Sequence, residues 1–356
     1  MKVLIVCTVP LEMNGIATVI MSHFRKLNSK VDFDFLVNKS SNILYKNEIL
    51  SQGSKLSIVD RKRNTVGYIV KLHKILKEEQ YDVIHVHGNS ATMALELLIA
   101  KKMNVKKRIA HCHNTKCNHV FIHMILKNIF HKTYTKSVAC SEEAGNWIFG
   151  ENNFTIIDNG IDINRFKFDD AVRDRKRKEL SLEDNFIIGH VGLFNEQKNH
   201  KRLFEIFAEF KKKCNKAKLL CVSGSKQIPQ YIIEELEKNN IREDTIILFD
   251  RNDVDELYQA MDFFLFPSNW EGLGLAAVEA QASGLFCLTS ENVPSKIDIT
   301  NNVKHKKLEE TDERWADEIV IHINDRIDRM NANEKAQKSD FNIEKVSLKI
   351  LSVYES

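Results

Sequence analysis

Short apolar runs alternate with segments of helical spacing along the first half of the chain. The runs that predict buried strands are Val3–Cys7, Phe33–Val37, Leu56–Val59, Asp82–His87, Arg108–His111, Ser137–Cys140 and Thr155–Ile157. Apolar residues at helical spacing predict helices over Ile16–Leu27, Val66–Lys77, Ala91–Met103 and His119–His131. This alternation is typical of an α/β domain built on a parallel sheet.

The second half repeats the pattern. Its predicted strands are Phe186–Val191, Lys218–Ser223, Ile246–Phe249, Met261–Phe266 and Phe286–Thr289, and its predicted helices are Leu203–Lys212, Ile228–Asn239 and Val254–Ala260. The turn-rich segment Asn159–Asp162 lies between the halves. Because the chain is long enough for two domains, we predict two Rossmann-like domains, residues 1–162 and 163–340, that face a cleft. In such sheets ligands bind beyond the carboxyl ends of the strands.

Composition narrows the class of protein. Seven cysteines are scattered without a C-x-x-C pair, which indicates reduced thiols and a cytoplasmic protein. The first strand has neither a long apolar core nor a cleavage site of the kind that marks a signal peptide, and no run reaches the ~18 apolar residues of a membrane span. The pairs His85/His87 and His111/His113 have strand spacing, but no third ligand is evident, so we expect no metal.

Charge is divided unevenly between the two halves. Residues 1–165 carry 23 Lys+Arg and 14 Asp+Glu, a net charge of +9, whereas residues 166–356 carry 29 and 35, a net charge of −6. The basic first half suits an anionic acceptor or a membrane surface, or reflects only a difference in surface charge between paired domains. Its basic residues are not interleaved with aromatic ones, so nucleic acid is not an expected partner.

The most informative stretch is Pro267–Gln281, which places two carboxylates eight residues apart around a Gly-Leu-Gly turn. A strand that ends in a glycine turn and enters a helix directs free backbone N–H groups and the positive helix end at an anion such as phosphate. Glu271 lies before the turn, and Glu279 is expected about two helical turns into the helix. Since carboxylates accept hydrogen bonds from sugar hydroxyls, the pattern indicates a nucleotide sugar as ligand.

With its flanking residues, this stretch resembles the Glu-x7-Glu motif of retaining nucleotide-sugar glycosyltransferases of the GT-B fold (group 1, family 4), in the branch that assembles bacterial capsule and exopolysaccharide. The resemblance extends along almost the whole chain. It implies sugar transfer from a nucleotide diphosphate donor, expected to be UDP-linked, to a saccharide acceptor, lipid-linked or free, with no metal or other cofactor. It also implies that the final segment, residues 341–356, returns to the first domain as a helix.

The resemblance assigns roles to ten residues. Those expected to orient the transferred sugar are His113 and Glu271. Those expected to bind the donor phosphates are Gly15, Lys198, Gly272, Leu273 and Gly274. Those expected to bind the nucleotide are Glu279, Gly224 and Arg251, with a surface salt bridge as an equal alternative for the last of them.

Three positions depart from the family pattern: Leu193, Asn14 and Lys296, the last of which stands where relatives often carry a glutamate. Relatives carry an arginine where this chain has Leu193, and that arginine grips the donor diphosphate together with Lys198. Arg202 is a candidate substitute. Asn14 replaces the first glycine of a Gly-Gly pair, which is a mild change because Asn tolerates positive φ. Leu193 and Lys296 also support an alternative hypothesis, a non-catalytic GT-B protein that binds a nucleotide or a partner transferase.

The segment from Val120 to Phe130 is strongly apolar, with lysines on both sides. Nearly all-round apolarity is typical of a buried helix. Flanking lysines would instead suit a peripheral contact with the inner face of a membrane. The sequence leaves both interpretations open.

Overall fold

Seven parallel strands form the first of two sheets in the computed structural model, which describes residues 1–11, 15–39, 45–61, 63–115, 117, 120–225, 227–323 and 328–356. The strands are β1 (Lys2–Pro10), β2 (Asp32–Asn38), β3 (Leu56–Val59), β4 (Val83–Gly88), β5 (Lys107–Cys112), β6 (Lys136–Ala139) and β7 (Thr155–Ile156). They pair in the order β3-β2-β1-β4-β5-β6-β7. Residues 3–7 of β1 are all buried, as expected for a central strand of a parallel sheet covered on both faces.

Six parallel strands form the second sheet. They are β8 (Phe186–Val191), β9 (Ala217–Ser223), β10 (Thr245–Phe249), β11 (Phe263–Phe266), β12 (Phe286–Ser290) and β13 (Val303–Lys306). They pair in the order β10-β9-β8-β11-β12-β13. The strand β11 is entirely buried and three of its four residues are phenylalanine, so it sits in the core of this sheet.

The α-helices alternate with these strands. In chain order they are α1 (Gly15–Leu27), α2 (Lys46–Ser51), α3 (Thr65–Glu78), α4 (Ala94–Lys102), α5 (Val120–Phe130), α6 (Glu142–Phe149), α7 (Asp170–Glu179), α8 (His200–Lys213), α9 (Gln230–Lys238), α10 (Val254–Ala260), α11 (Leu275–Ala282), α12 (Asp312–His322), α13 (Arg329–Lys338) and α14 (Ile343–Glu355). Within the part of the chain that the structure describes, no helix is both long and apolar enough to cross a bilayer.

The chain divides into two compact units, Met1–Ile161 together with Ile343–Ser356, and Asp162–Asn342. The sequence had predicted domains of residues 1–162 and 163–340, with a return of the final segment at about residue 341. In the first unit, α14 buries Val346, Ile350 and Tyr354 in the core that also holds Val3, Ile5 and Cys7 of β1. Burial of this apolar face holds the last helix on the first unit.

The predicted α/β class is confirmed, and β8 and α10 begin and end at the predicted residues. The strand predicted from Met261 begins two residues later, at Phe263. Helices α2, α6, α7, α12 and α13 and strand β13 were not predicted. The helix α7 was missed because its sequence is polar and has almost no apolar period. Its start is capped by Asp169, which accepts from the backbone N–H groups of Ala171 and Val172.

Candidate functional site

The strand order of the second sheet reverses at β8, since β9 and β10 lie on one side of it and β11 to β13 lie on the other. Ligands of open α/β sheets bind where the loops diverge at such a point. The loop after β8 covers residues 192–199, and the loop after β11 covers residues 267–274. The backbone N–H of Asn269 donates to the carbonyl oxygen of Gln197 at 2.8 Å, which ties the two loops together.

Lys198 and Glu271 meet between these loops. The Nζ of Lys198 lies 2.6 Å from Oε1 of Glu271, and Nε2 of Gln197 donates to Oε2 at 2.9 Å. The side chains of Lys198 and Glu271 are only 15% and 5% exposed, so little water screens the pair. The ammonium also lies 4.6 Å from the centre of the Phe266 ring. A Cβ at Gly192 would come within 3.0 Å of the Lys198 stem, so glycine leaves room for it.

The turn that follows Glu271 exposes backbone donors. Gly274 has a φ of +83°, a conformation that favours glycine, and it caps α11. Gly272 is exposed, and a Cβ there would meet nothing within 4 Å. In the described chain, the N–H groups of Gly272, Leu273 and Gly274 donate to no protein acceptor. This turn and the helix start that follows it can therefore bind an anion.

Glu279 lies closer to the turn than the sequence predicted. It is the fifth residue of α11, just over one turn from the helix start, because the helix begins only at Leu275. The hydroxyl of Tyr258 donates to its Oε2 at 3.0 Å, and Oε1 has no partner among the described residues. Burial raises the pKa of Glu279 to about 7, against the stabilising hydrogen bond from Tyr258. The carboxyl group is therefore a half-ionised acceptor near neutral pH.

Leu193 and Gly224 lie next to each other at the ends of β8 and β9. The side chain of Leu193 is 46% exposed, and its Cδ2 would lie 3.4 Å from a Cβ at Gly224. The expected arginine is thus replaced by an exposed apolar side chain in this part of the second unit.

The two arginines proposed as donor contacts are both held by carboxylates. Arg251 makes a two-pronged contact with Asp253, with Nε–Oδ1 and Nη2–Oδ2 distances of 2.7 and 2.6 Å, and Glu179 lies 3.4 Å away. For Arg251 the structure thus contains the salt bridge of the alternative interpretation. Arg202 pairs with Asp312 at 2.8 Å, so its guanidinium is also engaged.

The other predicted residues belong to the first unit, whose strand order reverses between β1 and β4. Gly15 is the first residue of α1, is exposed, and would have no neighbour within 4 Å of a Cβ. Asn14 lies outside the described residues, as does residue 119 at the start of the predicted helix His119–His131. His113 follows β5 directly, at the carboxyl edge of the sheet.

His113 is a neutral, partly buried histidine. Its Nε2 lies 2.9 Å from Nδ1 of His87, and its Nδ1 is buried without a hydrogen-bond partner in the described chain. Desolvation lowers the pKa of His113 to about 3. The ring is therefore uncharged at neutral pH and can donate or accept one hydrogen bond, according to its tautomer.

His113 belongs to a ladder of four histidines on β4 and the end of β5. His87 lies opposite His111 in the parallel register, and the rings of His111 and His113 stack at 4.1 Å. Nε2 of His85 lies 3.1 Å from Nδ1 of His111, and Nδ1 of His85 lies 2.8 Å from the hydroxyl of Tyr354. One nitrogen each from His85, His87 and His111 lie within 4.8 Å of one another, so these three could hold a metal ion. The sequence had shown no third ligand; the absence of a metal stays a prediction.

Two side chains at the candidate site were missed from the sequence. Gln197 supports Glu271, and Tyr258 donates to Glu279. The position of Gln197 next to Lys198 was a usable signal. No local pattern marks Tyr258, because it comes from α10 and meets Glu279 only through the packing of two helices.

Comparison with known families covers both units. The family model described as Glycosyltransferase Family 4 matches residues 13–165, and the one described as Glycosyl transferases group 1 matches residues 172–339. The chain is 31% identical over 328 residues to EpsF of Bacillus subtilis (strain 168), a candidate glycosyltransferase by its name, and this covers 86% of the chain and 84% of EpsF.

Two further proteins extend the comparison. An Escherichia coli UDP-Gal:alpha-D-GlcNAc-diphosphoundecaprenol alpha-1,3-galactosyltransferase is 28% identical over 240 residues, which covers 62% of the chain and 61% of that enzyme. The structure of Anabaena Alr3699/HepE in complex with UDP and glucose superposes with a TM-score of 0.81 at 16% identity, over 100% of the chain and 99% of HepE, which shows the shared GT-B fold. From the two family models and the similarity to EpsF, this chain belongs to the group 1, family 4 glycosyltransferases.

Proposed function

We propose that this protein is a retaining, metal-independent glycosyltransferase that moves a sugar from a UDP-linked donor to a hydroxyl group of a saccharide. In this reaction the bond between the anomeric carbon and the diphosphate oxygen breaks. A bond from the same carbon to the acceptor oxygen forms on the same face of the sugar. The proton of the acceptor hydroxyl passes to the leaving diphosphate, so no protein nucleophile is required.

The observation that supports this proposal most directly is the convergence of one lysine, two carboxylates and a glycine turn at the switch point of the second sheet. Lys198 and the free amides of residues 272–274 would take up the negative charge that grows on the leaving diphosphate. A divalent metal performs this task in other enzymes. The ammonium of Lys198 is shielded from water, and its charge-assisted hydrogen bonds would replace part of the stabilisation that a metal ion supplies.

The two carboxylates would bind hydroxyl groups on either side of the phosphates. Glu279 has one oxygen without a protein partner, which suits the ribose of the nucleotide. Glu271 is held by Lys198 and Gln197, so it would orient both the ammonium and the transferred sugar. The contact of His113 with that sugar and the contact of Gly15 with the donor phosphate follow from the family resemblance and stay predictions.

The acceptor and the site of action are proposed from the relatives. HepE has been solved with UDP, and the name of the Escherichia coli relative contains a UDP-galactose donor and a diphosphoundecaprenol-linked acceptor. We therefore propose a lipid-linked saccharide as acceptor and a role in surface polysaccharide assembly. Such an enzyme would work at the cytoplasmic face of the membrane, with its first unit in peripheral contact.

The test compares two neighbouring lysines. Lys198→Ala should weaken the binding of UDP, measured by calorimetry, by about 1.5–3 kcal/mol, because a charge-assisted contact is lost. Lys201→Ala is the matched control, since Lys201 is exposed on α8 and should leave affinity unchanged. A panel of UDP-, GDP- and ADP-sugars would be screened first by thermal shift. The proposal would be contradicted if no UDP-sugar raised the Tm of the protein, or if wild type and Lys198→Ala bound UDP with equal affinity.

A further inference from the structure

The helix α5 of the first unit exposes an almost continuous apolar face. Phe121 is 73% exposed and Met124 is 62% exposed, values far above those of the usual core residues. The exposed apolar side chains of this helix are Val120, Phe121, Ile122, Met124, Ile125 and Ile129. A contiguous exposed patch of this kind marks a surface that contacts a partner or a lipid phase.

The orientation of α5 is set by the two side chains that it buries. His123 accepts a hydrogen bond from the backbone N–H of Ala91 at 3.1 Å and stacks on the ring of Trp147 at 4.8 Å. Phe130 is fully buried and packs against Phe149 and Tyr134. Because these contacts fix one side of the helix, the apolar residues on the other side point away from the unit.

The sequence on both sides of this helix is basic. Residues 97–141 contain nine Lys and Arg and no Asp or Glu. Lys127 lies on α5 itself, and Lys132 follows its end. Lys101 donates to the carbonyl oxygen of Lys132 at 2.9 Å, so a third ammonium lies at the same end of the helix. An apolar face with basic flanks complements an anionic lipid surface, in which acyl chains lie beneath phosphate groups.

The length of α5 excludes a transmembrane position. Eleven residues of helix span only about 16 Å, roughly half of the ~30 Å hydrocarbon core of a bilayer. The helix can therefore only lie along the interface. A second copy of this chain is a poorer occupant, since two faces with the same basic flanks would repel each other.

We propose that the exposed face of α5 docks the first unit onto an anionic bilayer surface. This inference extends the proposed function, on which its biological role rests, by naming the membrane partner and the surface that contacts it. It would hold the enzyme where a lipid-linked saccharide presents its sugar. The binding of the donor in the second unit does not depend on it.

The experiment is flotation of the full-length protein with vesicles of phosphatidylglycerol and phosphatidylethanolamine, and with vesicles of phosphatidylcholine alone. Wild type should float with the anionic vesicles, and added salt should weaken this binding. The double variant Phe121→Ser/Ile125→Ser should bind at least about tenfold less, since each apolar side chain loses its burial in the interface. The matched control is Val66→Ser/Val70→Ser, two exposed valines of α3, which should float like wild type.

Calorimetry with UDP keeps this proposal separate from the proposed function. Each variant should bind UDP as wild type does, which shows that the second unit is intact, and should keep the circular dichroism spectrum and Tm of wild type, which show that the first unit is folded. The docking proposal is overturned if wild type ignores anionic vesicles, or if the α5 variant floats as well as wild type. It is also overturned if wild type is a dimer that the α5 substitutions dissociate, because a second copy would then cover the face. If wild type did not bind UDP, the proposed donor site would be wrong, whatever the vesicle result.

Discussion

The affinity for a nucleotide sugar should depend on pH through Glu279. Burial raises the pKa of this carboxyl group to about 7, above its ordinary value near 4.5. The ionised form is a charged acceptor at both oxygens, whereas protonation turns one oxygen into a donor, and Oε2 already accepts from Tyr258. Glu279, the acceptor proposed for the ribose hydroxyls, therefore gains charge as the pH rises through neutrality. Donor binding should strengthen in the same direction, with release of a proton.

The size of the effect follows from the titration of one group. If the carboxylate alone binds the ribose, the dissociation constant scales with 1 + 10^(pKa − pH), so it falls about tenfold between about pH 6 and about pH 8. Tenfold corresponds to about 1.4 kcal/mol. His113 does not contribute to this pH dependence, because desolvation lowers its pKa to about 3 and the ring stays neutral between about pH 6 and about pH 8.

The assay is isothermal titration calorimetry with a UDP-sugar, whose two phosphates are both esterified and do not titrate in this range. Repeating the titration in two buffers of different ionisation enthalpy measures the protons released. The control is Glu279→Gln, which keeps the shape and should show a flat profile at the weak, low-pH affinity. Equal affinity of wild type across the range, or the same slope in Glu279→Gln, would refute the reasoning.

The remaining predictions test other parts of the site. Glu271→Gln keeps an amide oxygen that can still accept from Lys198, so UDP affinity should be kept while transfer falls, since Glu271 is also assigned to the sugar; equal loss of UDP and UDP-sugar binding would reverse that assignment. Leu193→Arg should tighten UDP binding and raise the single-turnover rate, because a cation acts most on the charge of the transition state; no change in either would place the diphosphate elsewhere. Activity should survive EDTA, and loss with rescue by Mn²⁺ would contradict a metal-free mechanism. Below about pH 6.5 the unfolded chain protonates His113, whereas the folded chain keeps it neutral because desolvation lowers its pKa to about 3, so this residue should cost about 1.4 kcal/mol of stability at about pH 5.5; an unchanged Tm from pH 7.5 to pH 5.5 would exclude this.

Several features of this protein could be predicted from local sequence alone. The buried strand Phe186–Val191 and the helix Val254–Ala260 are apolar or periodic enough that their bounds matched the structure. The turn at Gly272–Gly274 could be predicted because a strand, two glycines and a helix follow one another directly. Such features depend on residues that are neighbours in sequence, so the pattern contains the necessary information. The polar helix α7 lacks that signal and was missed.

Other features depend on which elements pack together. The sequence showed His85/His87 and His111/His113 as separate pairs, and only the register of β4 with β5 brings three of these side chains within ligand distance of each other. Arg251 and Asp253 are near in sequence, yet the sequence left a nucleotide contact and a salt bridge as equal interpretations of Arg251. The structure contains the salt bridge.

The apolar segment 120–130 illustrates the physical reason. Its sequence was compatible with a buried helix or an exposed one, since both present many apolar residues. The contacts of His123 and Phe130 with the rest of the first unit determine which side is buried and leave Phe121 and Ile125 exposed. The sequence therefore determined where the apolar or periodic strands and helices and the glycine turn lie. Strand register and helix packing, which join residues far apart in the chain, decided the partners and exposure of their side chains.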